Sequence, residues 1–394
     1  MNALPELQGV TNLSRFVTRI LGQNPSKFTL QGTNSYLVHH PESPSLLLID
    51  TTGPSSSSPL PPSAEQAYLS NLRSAVLAHP VQPAHVGDIV LTHWHRDHVG
   101  GLRSVVEMLS EMHGGHGVRV WKMPCAGGEA WKSEAGKDEE IEAALQGPPK
   151  GVLLPRQGAK KVRPLQPGQH FRLEPPSSAS SGSKEAVELE VVHTPGHTSD
   201  SICLALRLLP SRHLAQPSAS SATSRPASPQ LLALFTADTV LGHGTAVFTS
   251  LSRYLVSLSS LVDLLQRADR AVPLYPGHGE VVTGGLGKVS EYKAHRAERE
   301  RQVITALQEV ETGSGVEASK LVDQIYGSTI PDSLKPAATH GVLLHLAKLE
   351  EEGSVEHVPR SLFTDGVPLE GQGGGEVGLP MGWSDGWRWT GKAA

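Results

Sequence analysis

Cysteine is nearly absent from this chain: Cys125 and Cys203 are the only two in 394 residues. Two thiols cannot build a disulfide framework, and by themselves they make a poor metal cage. Aromatic residues are 5% and charged residues 19%, and the net charge is only −5 with a pI near 6.4. That excludes a strongly basic nucleic-acid surface over the chain as a whole, though not a local basic patch. No apolar run approaches the roughly 20 residues that a membrane-spanning helix needs. Met1 to Gly22 carries Glu6 and lacks both the apolar core of a signal peptide and an Arg/Ser-rich transit pattern. A cytoplasmic globular protein with no membrane partner is the expectation, with the mitochondrion left open.

What is present is loop and histidine. Gly numbers 40, Pro 30 and His 19, in a chain long enough for two or three domains. Apolar runs predict buried strands at 45–50, 86–92, 187–193, 231–236 and 271–275. Helical patterns at 64–78 and 100–112 lie between them, so the fold class is α/β with layered strands and helices. Three Ser/Pro/Ala-rich stretches, at about 53–63, 175–184 and 210–229, read as insertions at loop tips. Charged helical sequence over 288–310, helices at 317–326 and 336–352, and a strand at 353–358 suggest a winged-helix-like module over 286–360. The Gly- and Trp-rich segment 361–394 reads as a disordered tail. The catalytic domain is then 1–285.

The chemistry concentrates in Thr92-His-Trp-His-Arg-Asp-His98, directly after an apolar strand. Active sites gather at such carboxyl ends, where the loop is exposed and the strand fixes its base. Three imidazoles and a carboxylate put four metal-capable donors in one turn. Positions 93, 95 and 97 alternate and His98 breaks the alternation, so His93 and His95 approach one metal while Asp97 and His98 turn towards a second. Three distant runs end the same way: at His197 in Thr-Pro-Gly-His, at Asp238 in Phe-Thr-Ala-Asp, and at His278 in Tyr-Pro-Gly-His. Five histidines and two aspartates suffice for two adjacent divalent ions with open positions, as a catalytic site requires. Zinc is the default for so many imidazoles, with Mn or Fe tolerated.

These motifs, in this order, resemble the five-part signature of the metallo-beta-lactamase superfamily. The resemblance implies a four-layer αββα sandwich. It also implies that His93, His95 and His197 hold one metal, Asp97, His98 and His278 the other, and that Asp238 bridges them. Asp97 would in addition be catalytic. Asn24 to Val38, Leu241 to Phe248, Glu291 to Arg296 and the winged-helix module are further similar to the beta-lactamase-like subfamily. That group contains the mitochondrial endoribonucleases of animals and fungal thioesterases that release polyketides from acyl carrier proteins.

Lys27-Phe28, Val99 and His243-Gly-Thr-Ala look closer to the fungal enzymes. The leading expectation is therefore a thioesterase acting on a polyketide held by an acyl carrier protein, by attack of metal-activated water. Cleavage of single-stranded RNA is the alternative, and hydrolysis of a small thioester or ester a further one. Asn34 and His243 are candidates for supporting the metal ligands or facing the substrate. No Gly-x-Ser-x-Gly elbow is present, so a serine hydrolase has no support.

Overall fold

The computed structural model describes residues 4–54, 60–113, 117–145, 161–176, 185–209, 228–310, 315–327, 329–358 and 386–391. Most of the three Ser/Pro/Ala-rich stretches therefore lies outside the described residues. The chain forms two compact units, Met1–Phe248 with Arg253–Ser290, and Thr249–Ser252 with Glu291–Ala394.

The first unit holds two sheets. The larger one orders its strands β1 to β7 in sequence: Val10–Ser14, Val17–Leu21, Asn34–His39, Ser45–Ile49, His85–Leu91, Arg119–Lys122 and Val162–Pro164. β1 to β4 pair antiparallel, and β4 to β7 pair parallel. The change has a simple cause. Helix-free connections join the antiparallel strands, whereas parallel neighbours need longer crossovers. Those crossovers carry α1 (Pro62–Leu77), then α2 (Arg96–Val99) with α3 (Leu102–Met112), then α4 (Lys137–Ala144).

The second sheet runs β12-β11-β10-β9-β8, from Leu274–Pro276, Gln230–Ala237, Ile202–Leu209, Ala186–His193 and His170–Leu173. Leu47 and Ile49 of β4 point into the core between the sheets, with Leu204, Phe235 and Tyr275 of the second sheet. Leu46 and Leu48 point the other way, onto Leu72 of α1 and Val105 and Leu109 of α3. Both faces of β4 are thus covered, which is why 46–49 is a continuous apolar run. The sandwich that the motifs implied is the observed fold. α5 (Leu251–Gln266) is tied to the second sheet's loops, where Tyr254 Oη donates to Thr239 O at 2.6 Å and Ser257 Oγ to Pro195 O at 2.7 Å.

Strand direction then places the site. β9 and β11 are each antiparallel to β10, and β12 is parallel to β11. The carboxyl ends of β9, β11 and β12 consequently share one edge of their sheet. Backbone bonds join that edge to the first sheet: Asn34 N donates to Gly277 O at 2.7 Å and Ile202 N to Thr92 O at 3.0 Å. The end of β5 is brought there as well.

Two expectations are corrected. The strand predicted over 271–275 is shorter and later, at Leu274–Pro276. Pro273 has no N–H to give to the ladder, so regular pairing starts after it. The tail expected to be disordered contributes β15 (Gly386–Trp389), which pairs antiparallel with β13 (Val316–Glu317) and β14 (Val355–Val358). The tryptophans supply the driving force that the Gly-rich context hid.

Trp387 is buried in the second unit's core, with Leu321 of α6 (Ala318–Tyr326) and Leu346 and Leu349 of α7 (Lys335–Glu351). Trp387→Ala is expected to cost that unit about 3–5 kcal/mol, the usual range for removing a buried aromatic. A denaturant melt checks this, and an unshifted transition would show that β15 does not belong to the core. Among the described residues, no helix is long and apolar enough to cross a membrane.

Candidate metal centre

β5 ends at Leu91, and α2 begins at Arg96. His93 and His95 therefore sit on the loop, while Asp97 and His98 lie on the helical turn and face a different direction. Three nitrogens converge on the first side. His93 Nε2 and His95 Nδ1 are 3.1 Å apart, and His197 Nε2 lies 3.3 Å from the former and 2.9 Å from the latter. On the second side His278 Nε2 is 3.3 Å from His98 Nε2 and 3.2 Å from Asp97 Oδ2. Asp238 stands between them: Oδ1 is 3.4 Å from His98 Nε2, and Oδ2 is 3.3 Å from His278 Nε2 and 3.7 Å from His197 Nε2. All seven residues named from the sequence meet in one place.

The outward-facing atoms fix which nitrogen points inward. His98 Nδ1 donates to Asp50 Oδ2 at 2.8 Å, and His197 Nδ1 donates to Val247 O at 2.7 Å. His93 Nδ1 lies 3.0 Å from Thr92 Oγ1. In each case Nε2 is the atom turned towards the centre, the orientation that metal-binding histidines depend on.

Burial and the neighbouring imidazoles hold His93 well below the ordinary histidine range and His95 at about 3, so both are neutral. Burial would raise the Asp97 carboxyl, but His98 and His278 outweigh it and hold it at about 2. Asp238 is likewise ionised: burial opposes this, and His278 and His98 prevail. Burial would lower His98 and His278, but Asp97 and Asp238 outweigh it, raising His98 well above the ordinary histidine range and His278 to about 9, so a bound divalent ion would take the place of protons on these two rings. The tetrahedral ligands of one zinc ion lie about 3.3 Å apart, close to the spacing of the His93, His95 and His197 nitrogens. The donor set therefore fits a pair of divalent ions.

Backbone approach is tight at two glycines. A Cβ on Gly277 would fall 2.4 Å from Asp238 Oδ1 and 2.9 Å from His98 Cε1. Gly196, at φ +143°, would meet the Tyr254 backbone at 2.4 Å. Only glycine lets these turns deliver His278 and His197 so closely.

Asn34 holds the His278 turn from the first sheet, its Nδ2 donating to Pro276 O at 3.0 Å and Gly279 O at 2.9 Å. His243 is exposed on the wall of a cavity of about 500 Å³ that opens onto the donors.

Asp50 was missed in the sequence. It is 2% exposed with φ +59°, and it accepts from Thr92 N and Thr92 Oγ1, both at 2.8 Å, as well as from His98. Its signal was there: an apolar strand ending in an acid, the pattern that picked out Asp238. A third donor group, Cys125, Glu134 and Asp200, was also not anticipated. Lys122 Nζ, 2.6 Å from Asp200 and 2.7 Å from Asp138, already supplies its cation.

Comparison with known proteins decides the family. Residues 28–208 match the profile of the Metallo-beta-lactamase superfamily, and residues 318–361 that of the Beta-lactamase associated winged helix domain. The beta-lactamase-like protein 2 homolog of Drosophila melanogaster is 31% identical over 350 residues, which cover 89% of this chain and 92% of that one. The chain belongs to the metallo-beta-lactamase superfamily. Members of this superfamily are generally hydrolases and normally bind divalent metals, as the donor cluster here would allow.

An atrochrysone carboxyl ACP thioesterase of Paecilomyces divaricatus is 28% identical over 357 residues, covering 89% of this chain and 85% of that one. The animal and fungal relatives thus resemble the chain almost equally, and overall identity does not choose between the branches. Among solved structures, a beta-lactamase domain protein from Burkholderia ambifaria superposes with a TM-score of 0.55 at 17% identity, over 88% of this chain and 89% of that one. That likeness is one of fold.

Proposed function

We propose that the chain is a dinuclear-metal hydrolase that cleaves the thioester of an acyl group carried by an acyl carrier protein. The observation that carries the thioester reading is the cavity wall. Phe28, Leu30, Leu241, Ala246 and Val247 line it, and among the described residues two Lys or Arg cations, Lys27 and Arg96, join them. An acyl chain gains from burial against such a wall, whereas a run of nucleotide phosphates calls for many more cations. The likeness to a fungal carrier-protein thioesterase supports the same class.

In this reading His93, His95 and His197 would hold one ion and Asp97, His98 and His278 the other, with Asp238 facing both groups. Bound there, two divalent ions (zinc by donor type, Mn or Fe as substitutes) supply Lewis acidity and water of lowered pKa. Asp97 lines the cavity and is ionised, so its carboxylate can orient a water and take its proton. Asp50 keeps the His98 ring in register. A thiolate leaves with little protonation, which spares the chain a dedicated general acid.

The test is direct competition. Metal-loaded protein is given an acyl-carrier-protein thioester and single-stranded RNA, and each product is followed. Release of the acyl group with intact RNA is expected, while cut RNA beside intact thioester would contradict the reading.

Asp50→Ala leaves Thr92 N, the Thr92 hydroxyl and the His98 N–H without their buried acceptor. Metal affinity is expected to fall about 10–100-fold, the scale for losing a partner that orients a ligand. Competition with a chromophoric chelator measures it, and wild-type affinity would show that Asp50 does not orient His98.

A further inference from the structure

The cavity that opens onto the donor cluster is lined by apolar side chains and by two exposed cations. Lys27 and Arg96 line it, and both are exposed. The described residues pair neither with a carboxylate. Lys27 Nζ instead sits 4.8 Å from the centroid of the Phe28 ring, and Phe28 is itself 51% exposed on the wall. Among the described residues, the carboxylates lining this cavity are Asp97 and Asp238, both part of the donor cluster. Two unneutralised cations beside an exposed aromatic ring form a place for an anion attached to something apolar. Val247, 62% exposed on the same wall, extends the apolar strip.

We infer that Lys27 and Arg96 are specificity-determining residues: they seat the phosphate of a phosphopantetheine-type arm while the acyl group lies along Phe28, Leu30, Leu241 and Val247. The inference rests on the thioesterase reading above, which it deepens by naming the part of the substrate recognised and the residues that do it. A phosphate on these cations and a thioester at the donors would be the two ends of one flexible arm, so one contact delivers the other. Because both cations are exposed, they keep much of their hydration on binding an anion and gain a charge-assisted hydrogen bond.

The experiment uses two thioesters of the same acyl group, one on phosphopantetheine and one on pantetheine, which differ by a single phosphate. The metal-loaded wild-type chain is expected to favour the phosphorylated substrate in kcat/KM by about tenfold, or about 1.4 kcal/mol. In K27Q/R96Q that ratio is expected to fall towards one, and K27Q alone to lie between. Because the readout is a ratio, any disturbance that Arg96→Gln transmits to its neighbours His95 and Asp97 affects both substrates and cancels. A wild-type ratio near one, or a ratio kept by the double variant, would overturn the inference.

If the wild type hydrolyses neither thioester, the thioesterase reading fails, and calorimetric binding of phosphopantetheine against pantetheine decides the anion site separately. Tighter binding of the phosphorylated form that K27Q/R96Q loses would retain the site. Equal binding would overturn it, as would RNA cleavage abolished by the same two substitutions.

Discussion

Stripping the bound metal is expected to abolish thioester hydrolysis, and added zinc or manganese to restore it. The reason is the composition of the centre. Among the seven donors, His93 and His95 are held neutral, while Asp97 and Asp238 are held ionised against burial. None of these groups is a nucleophile of the serine or cysteine type, and without ions the Asp97 carboxylate would have to act on a water of ordinary pKa with no Lewis acid beside it. The same removal is expected to lower the melting temperature. Metal binds the folded cluster and not the unfolded chain, and a ligand at 100 times its Kd contributes about 2.7 kcal/mol. Several degrees of shift follow for a unit of this size. Activity of chelated protein with verified absence of metal, compared with the reloaded sample, checks both. Full turnover in the metal-free sample would remove the basis of the reading.

Asp97→Asn is expected to leave the fold intact and to reduce turnover at least about a hundredfold. The amide keeps the shape of the carboxylate but not its charge. Asp97 Oδ2 lies 3.2 Å from His278 Nε2 and 3.5 Å from His98 Nε2, and it accepts from Thr33 Oγ1 at 3.4 Å. Loss of charge therefore weakens the second ion's site and removes the proton acceptor together. His93→Ala, which deletes a donor of the first ion, is expected to be as harmful or worse. Circular dichroism establishes the fold, and kcat with metal content separates the two effects. A near-wild-type rate in Asp97→Asn would show that the second ion is dispensable.

Much of this site was legible before any coordinates, because its residues follow a physical rule: polar donors placed where an apolar strand runs out. His93 to His98 obey it after β5, Asp238 after β11 and His278 after β12. Asp50 obeys it too after β4, but a single acid there is indistinguishable from an ordinary turn residue until His98 is seen beside it. What sequence distance conceals is pairing across the two sheets. Asn34 reaches the carbonyl of Gly279, 245 residues away, and only strand order and direction make them neighbours.

The substrate wall is hidden for the same reason, since Phe28 and Val247 meet on one cavity from opposite ends of the catalytic unit. Composition misled in the tail. A Gly-rich segment lowers expectation of order, yet Trp387 and Trp389 supply enough apolar surface for Gly386–Trp389 to complete a sheet.

The central claim is that seven residues hold two ions that act together, and stepwise reloading tests it most directly. Metal-free protein is titrated with zinc while thioester turnover and bound metal are measured on the same samples. The account predicts that turnover rises to its plateau only at two ions per chain, and that His98→Ala binds one ion and stays nearly inactive. A plateau at one ion per chain, or substantial turnover with none, would contradict it.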